Sequence, residues 1–170
     1  MRVNGTASQV EVVIVGAGQA GLAVSYYLRA FGVEHVVLER GRVGESWRSA
    51  RWDSFTLVTP NWMTRLPGSR VAAGAAREFL PRDTVVSLLD DFARGLPVQA
   101  GTEVLSVEAR DRGYDLVTAA GRMTARAVVV AGGGQCRPVI PGLAAALPAD
   151  IHQSDAGRTV TRARCRRARS

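Results

Sequence analysis

The stretch V-V-I-V-G-A-G-Q-A-G-L-A-V-S-Y-Y-L, residues 12–28, runs four apolar residues straight into glycines at 16, 18 and 21 and then continues as small and apolar residues without charge. Glycine costs backbone entropy on folding, so three in six positions need a reason. Residues 10–15 are short, apolar and β-branched, which is the pattern of a buried strand, and Gly16 ends it. Residues 19–31 read as a helix stopped by Gly32, and residues 34–39, E-H-V-V-L-E, read as a second strand parallel to the first. Together they form a βαβ unit. A lone G-x-G-x-x-G is a weak signal, and its plain reading is a turn between a strand and a helix. Here Gly16, Ala17, Gly18, Gln19, Ala20 and Gly21 stand between a strand and a helix, and Glu39 closes the next strand at the distance expected of a dinucleotide fold. In that reading Gly16 permits the tight turn, Gly18 lets a pyrophosphate approach the backbone, and Gly21 lets the helix pack closely. The helix N-terminus adds N–H donors and its positive dipole end. Glu39 accepts from the adenosine ribose hydroxyls and repels a 2′-phosphate. To this point NAD and FAD fit equally.

Working outward, residues 41–77 are rich in loop signals and hold Trp47, Trp52 and Trp62, and so long an irregular segment in a compact domain is usually functional. Pro81, Arg82 and Asp83 mark a helix start with Asp83 as N-cap, and Val85, Leu88, Leu89 and Phe92 recur at helical spacing up to Gly95. Residues 102–109, 114–118 and 123–131 read as three strands joined at Arg112-Gly113 and Ala120-Gly121. The last contains A-V-V-V-A, residues 127–131, and reads as a return to the buried parallel sheet. Beyond Pro138 the sequence shows no strand or helix pattern.

Of 170 residues, 46% are hydrophobic, enough for one domain with a real core. No apolar run suits a signal peptide or a bilayer span, which reads as a soluble, cytoplasmic protein without membrane partners. Cys136 and Cys165 alone make neither a disulfide framework nor a cysteine metal site, so no metal is expected. The formal charge is +7, and all 22 basic residues are arginine. Six of them follow Gly157, whereas every acid lies at or before Asp155, so the body is nearly neutral and the basic signal belongs to the tail. Arg48 and Arg51 among the tryptophans could mimic a surface that stacks single-stranded nucleic acid, but Glu45 and Asp53 in the same stretch speak against it.

Glu39-Arg40 followed by Gly44-Glu45-Ser46-Trp47-Arg48 resembles the E-R…G-G-x-W-R stretch of flavin-containing monooxygenases and related two-dinucleotide-domain flavoproteins. Residues 102–107, the meander after them, and residues 127–133 are similar to that family as well, so the resemblance covers residues 10–157. It implies an α/β, Rossmann-like FAD-binding domain over residues 1–157, a parallel sheet plus a β-meander, truncated before the NAD(P)-binding domain. It implies FAD, with Gly16, Gly18 and Gly21 at the pyrophosphate, Glu39 and Arg40 at the adenosine, Ser46, Trp47 and Arg48 along the cofactor, and Val104 meeting adenine through its backbone. Ala131 and Gly132 close the site, and in the Thr59-Pro60-Asn61 region Asn61 approaches the flavin ring, where an amide can stabilise a flavin hydroperoxide. Two positions depart from the pattern: Glu45 replaces the second glycine, and Gly132 stands where the family has threonine. The family uses NADPH and oxygenates a small-molecule substrate, but no second glycine-rich βαβ unit follows here, and His152-Gln153-Ser154 matches only the H-S of the preceding fingerprint. Residues 158–170 read as an Arg-rich tail: a basic arm, a processing product, or, the reading preferred here, out-of-frame translation of a GC-rich gene. The expectation is a FAD-binding portion of an NAD(P)H-using monooxygenase-like oxidoreductase, inactive alone. The alternative is a non-catalytic dinucleotide module whose tail contacts nucleic acid.

Overall fold

The computed structural model describes residues 8–68, 75–134, 139–151 and 153. Strand β1 (Ser8–Val15) lies at the centre of a six-stranded sheet, with β2 (His35–Glu39) on one side and β6 (Gly121–Val130) on the other, both parallel to it. The register sets Val13 beside Val36 and Val128. Successive side chains alternate between faces, so Val12 and Ile14 join one apolar cluster with Leu22, Val37, Val85 and Leu89, whereas Val13 joins Val36, Leu38, Leu116 and Ala125 in the other. Burial on both faces is why this strand is a continuous apolar run.

Helix α1 (Gln19–Ala30) connects β1 to β2 and buries Gly21, Leu22 and Ser25. Its end follows the glycine stop read from the sequence: Gly32 has φ +70, its N–H donates to the Arg29 carbonyl at 3.1 Å, and the Val33 N–H donates to the Leu28 carbonyl at 2.9 Å. The long segment after β2 contains a five-residue helix, α2 (Glu45–Ser49), and a short 3₁₀ helix at Asn61–Met63, neither of which has a periodic signature. Helix α3 (Arg82–Ala93) begins two residues before the expected start. Pro81 is its N-cap, and Asp83 sits in the first turn, paired with Arg82 and favourably placed at the dipole rather than capping.

Strand β3 (Val98–Ala100) adds to the β2 edge in parallel, and its three residues are too few for a pattern to show. The meander is β4 (Val104–Arg110), β5 (Gly113–Thr118) and β6, antiparallel throughout, giving the order β3-β2-β1-β6-β5-β4. A 3₁₀ helix at Gly142–Ala146 occupies a stretch without sequence signal. Cys136, His152, Ser154 and the tail lie outside the described residues. Among the described residues no helix is long and apolar enough to cross a membrane, and no cluster of side chains suits a metal ion.

Two glycines are demanded by packing. Gly16 has φ +108, and a Cβ there would come within 2.5 Å of the Ala131 carbonyl oxygen; a Cβ on Gly21 would collide with the Gly16 carbonyl oxygen. Overpacking of this kind costs roughly 1–3 kcal/mol. Gly16→Ala and Gly21→Ala are expected to lower the stability seen in urea denaturation by at least about 2 kcal/mol, whereas Gly142→Ala, with open space around it, stays within about 0.5 kcal/mol. Equal midpoints for all three would contradict this packing.

Candidate dinucleotide site

The C-terminal ends of β1, β2 and β6 converge on one edge of the sheet. The Gly16 N–H donates to the Leu38 carbonyl and the Ala131 N–H to the Val15 carbonyl, both at 2.8 Å, so the ladder continues into the loops. Gly18 differs from its two neighbours. Its φ of −85° and ψ of −172° are open to any residue, and a Cβ on it would meet nothing within 4 Å. It is the N-cap of α1, where Ser, Thr, Asp or Asn would serve the helix better. Nothing inside the protein requires a glycine there. Gln19 and Ala20 are exposed beside it on the first turn of a twelve-residue helix, whose leading N–H groups lack intrahelical acceptors.

Glu39 is almost wholly buried at 9% exposure, and backbone amides hold its carboxylate from two sides. The Ala17 N–H donates to Oε2 at 2.9 Å and the Gly41 N–H to Oε1 at 2.8 Å. The Glu39 carbonyl accepts from the Thr102 N–H at 2.8 Å, and the Ala17 carbonyl accepts from the Gly44 N–H at 3.0 Å. One carboxylate therefore ties the glycine loop to the end of β2, while the backbone around it reaches the loop before β4. An ionised carboxylate has about four acceptor positions, and two are in use here. Ala17 is fully buried and its N–H is spent on Glu39, so it orients the acid.

Further along, Glu45 resolves the question its charge raised. Both carboxylate oxygens fold back on Arg42, at 2.9 Å from Nε and 3.1 Å from Nη2, and Oε2 also accepts the Arg42 N–H. The Arg42 side chain donating to it holds the Glu45 carboxyl down at about 2, and the same pairing raises Arg42. The charge is neutralised locally.

Ser46 is exposed on α2. Trp47 packs on the core and against Phe55, with ring centroids 5.9 Å apart, and Arg51 lies over both rings at 5.2 and 5.4 Å. Trp52 meets Phe55 edge-on at 4.8 Å, so Trp47, Trp52 and Phe55 pack on one another. Arg48 turns to α3: its Nε donates to the Val43 carbonyl at 3.0 Å and its Nη2 to the Asp90 carboxylate at 2.5 and 2.6 Å. Trp47 and Arg48 thus brace α2 against the core and α3.

Asn61 is 1% exposed, its Nδ2 donates to the Ala75 carbonyl at 2.8 Å, and its Oδ1 has no partner among the described residues. The side chain is turned into the loop, where its Nδ2 is spent on the Ala75 carbonyl and its Oδ1 keeps its acceptor capacity. Thr59, Arg40 and Gly132 are exposed, Ala131 is half-buried beside Gly16, and Val104 opens β4 opposite Thr118. The amides of Ala17 and Gly41 escaped the sequence reading because any residue type supplies an N–H.

This geometry of a glycine turn, an acid closing the second strand and a third parallel strand beside them coincides with a family match. The sequence profile described as pyridine nucleotide-disulphide oxidoreductase matches residues 13–162. The chain belongs to that family. Among pyridine nucleotide-disulphide oxidoreductase relatives it is 35% identical over 147 residues to an uncharacterized CzcO-like oxidoreductase of Geobacillus kaustophilus, covering 85% of this chain and 42% of the relative. It is 40% identical over 88 residues to the indole-3-pyruvate monooxygenase YUCCA4 of Oryza sativa, covering 51% and 20%. The flavin-containing monooxygenase structure from Stenotrophomonas maltophilia superposes with a TM-score of 0.70 at 28% identity, over 79% of this chain and 41% of that one. The chain spans about two fifths of the length of the bacterial relatives it matches. The resemblance to flavin monooxygenases and the α/β Rossmann-like class therefore stand.

The Arg42–Glu45 pair gives a pH signature. The Glu45 carboxyl titrates at 4.5 when unperturbed and at about 2 in the fold. A depressed folded value means its contribution is full above 4.5 and is lost as pH falls toward 2. Glu45→Gln is expected to flatten the stability profile in that window and to leave its shape at pH 6–8 unchanged, measured by thermal unfolding across pH; a wild-type decline between 4.5 and 2 fully retained in the variant would refute it.

Proposed function

We propose that this chain is the FAD-binding portion of a flavin-dependent, NAD(P)H-using oxidoreductase of the monooxygenase type. The observation that carries the reading is Gly18: conformation, packing and capping all leave it unexplained, and the close approach of a pyrophosphate explains it. Gly18 and the first-turn N–H groups of α1 would hold the pyrophosphate, and Glu39, preset by the Ala17 and Gly41 amides, would accept from the ribose hydroxyls. Ala131 and Gly132 bound the far side of the turn, and Val104 and Arg40 stand toward the adenosine end. When bound, FAD supplies two-electron redox chemistry through its isoalloxazine ring. The chain's own work is to fix the adenosine half and the phosphates and to hold the Glu39 carboxyl group, oriented by two amides, where it can select a ribose with free hydroxyls.

The relatives support this reading: a named monooxygenase and a flavin-containing monooxygenase structure both align on this segment. Reduction by NAD(P)H and attack on a small-molecule substrate belong to the longer protein, and the substrate is fixed by segments other than those holding FAD.

Flavin titration followed by absorbance and by quenching of flavin fluorescence tests the proposal. FAD is expected to bind in preference to FMN, which lacks the adenosine that Glu39 addresses. Gly18→Val should weaken FAD by on the order of 100-fold or more while lowering folding stability by no more than about 1 kcal/mol. Equal affinity for FMN and FAD, or undiminished FAD binding by Gly18→Val, would sink the reading.

A further inference from the structure

At the opposite edge of the sheet from the glycine turn is a cavity of about 620 Å³ lined by Gln9, Arg110, Arg112, Tyr114, Thr124 and Arg126, with Gly113 and Ala125 as its backbone wall. Gln9 stands near the start of β1 and Gly16 just past its end, and seven residues of strand separate the two places by roughly 20 Å. The two sites share no residue.

Three guanidinium groups border this cavity and no carboxylate does. The acids nearby are partly spent elsewhere. Asp115 pairs with the Nε of Arg110, and Glu11 pairs with the Nη1 of Arg126 at 3.3 Å. Glu108 and Asp111 share the hairpin but do not line the cavity. The Arg126–Glu11 pair is long, and the Arg126 side chain is 80% exposed, so it holds that arginine weakly. Arg112, at the hairpin tip, makes no hydrogen bond or ion pair among the described residues. Five N–H donors per guanidinium leave most of these donors unspent after the pairs just named. Arg110 and Arg126 each keep a carboxylate partner, so what the three arginines offer the hollow is their unspent donors, and the planar fork of arginine matches phosphate oxygens two at a time. Gln9 and Thr124, partners across β1 and β6, add neutral donors to the same lining, whereas the Tyr114 ring packs with the apolar cluster of the other face. The hollow also falls within the usual size of a small-molecule site.

We propose that this cavity is a second, separate anion site that takes a small phosphate-bearing metabolite of pyrophosphate or sugar-phosphate size. The three arginines supply the charge, and the meander, rigidly joined to β1 through β6, supplies the frame. A ligand here bridges the β4–β5 hairpin and the starts of the two central strands.

Inorganic pyrophosphate titrated into the FAD-saturated chain at low ionic strength, followed by ¹H–¹⁵N amide shifts, locates the binding directly. Saturable shifts are expected at Gly113, Tyr114, Thr124 and Ala125. Arg112→Ala and Arg126→Ala are each expected to weaken binding by about tenfold or more, and Asp115→Asn, which releases Arg110, to tighten it severalfold. Arg112 sits on an exposed turn tip, so its variant keeps the fold, which the amide spectrum itself reports. Shifts that never saturate, shifts confined to Gly16–Gly21, or a dissociation constant unchanged in the Arg112→Ala/Arg126→Ala double variant would each overturn the proposal.

Discussion

Three pieces of backbone meet where β1 ends, and no side chain fits between them. Gly21 brings α1 down onto the Gly16 carbonyl, and Gly16 itself lies against the Ala131 carbonyl at the end of β6. This double close approach sets the distance of the helix from the sheet and thereby the depth of the apolar layer that Ile14, Leu22 and Leu89 fill. It also aims the first turn of α1 over the sheet edge. The Glu39 carboxylate then fastens the turn to β2 through two amides, so the turn proposed to meet a ligand is held by backbone packing and by an acid at once.

Much of this was written in the sequence because the physics is local or periodic. An apolar run without alternation, as in V-V-I-V, means burial on both faces, and the parallel pairing of β1 with β2 and β6 follows from it. Gly32, Gly113 and Gly121 all have positive φ and all stand where the turns were read. Strand β3 and helix α2 were not legible, since three and five residues are too short for any period to register. Their positions come from tertiary partners: the Val37 N–H reaching the Pro97 carbonyl, and Arg48 reaching Asp90.

The geometry of the candidate site was legible in its glycines and its acid, and less so in the loop that follows. Family spacing pointed to Trp47, Arg48 and Asn61 as cofactor neighbours, and each also satisfies a need of the fold: an aromatic cluster, a brace between helices, and a bond across the loop. A residue type at a given spacing cannot distinguish a side chain that faces a ligand from one turned inward to hold the loop. Glu45 shows the converse. Its replacement of a glycine looked disruptive near phosphates, yet Arg42, three residues earlier, takes up both its oxygens.

The pairing of β1 with β6 also dictates when the molecule can exist. Glu11 and Arg126, facing each other across these strands, are 115 residues apart in the chain. At synthesis rates of about 5–20 residues per second, β1 waits roughly 6–23 seconds on the ribosome before its second neighbour is made. During that interval one edge of the most apolar strand is open to any other strand that passes. Ala131, which walls the glycine turn, is added last of all these parts. Completion of the glycine turn and closure of the sheet are thus a single late event, and a chain stalled before residue 131 would carry the whole glycine signature with its far wall missing.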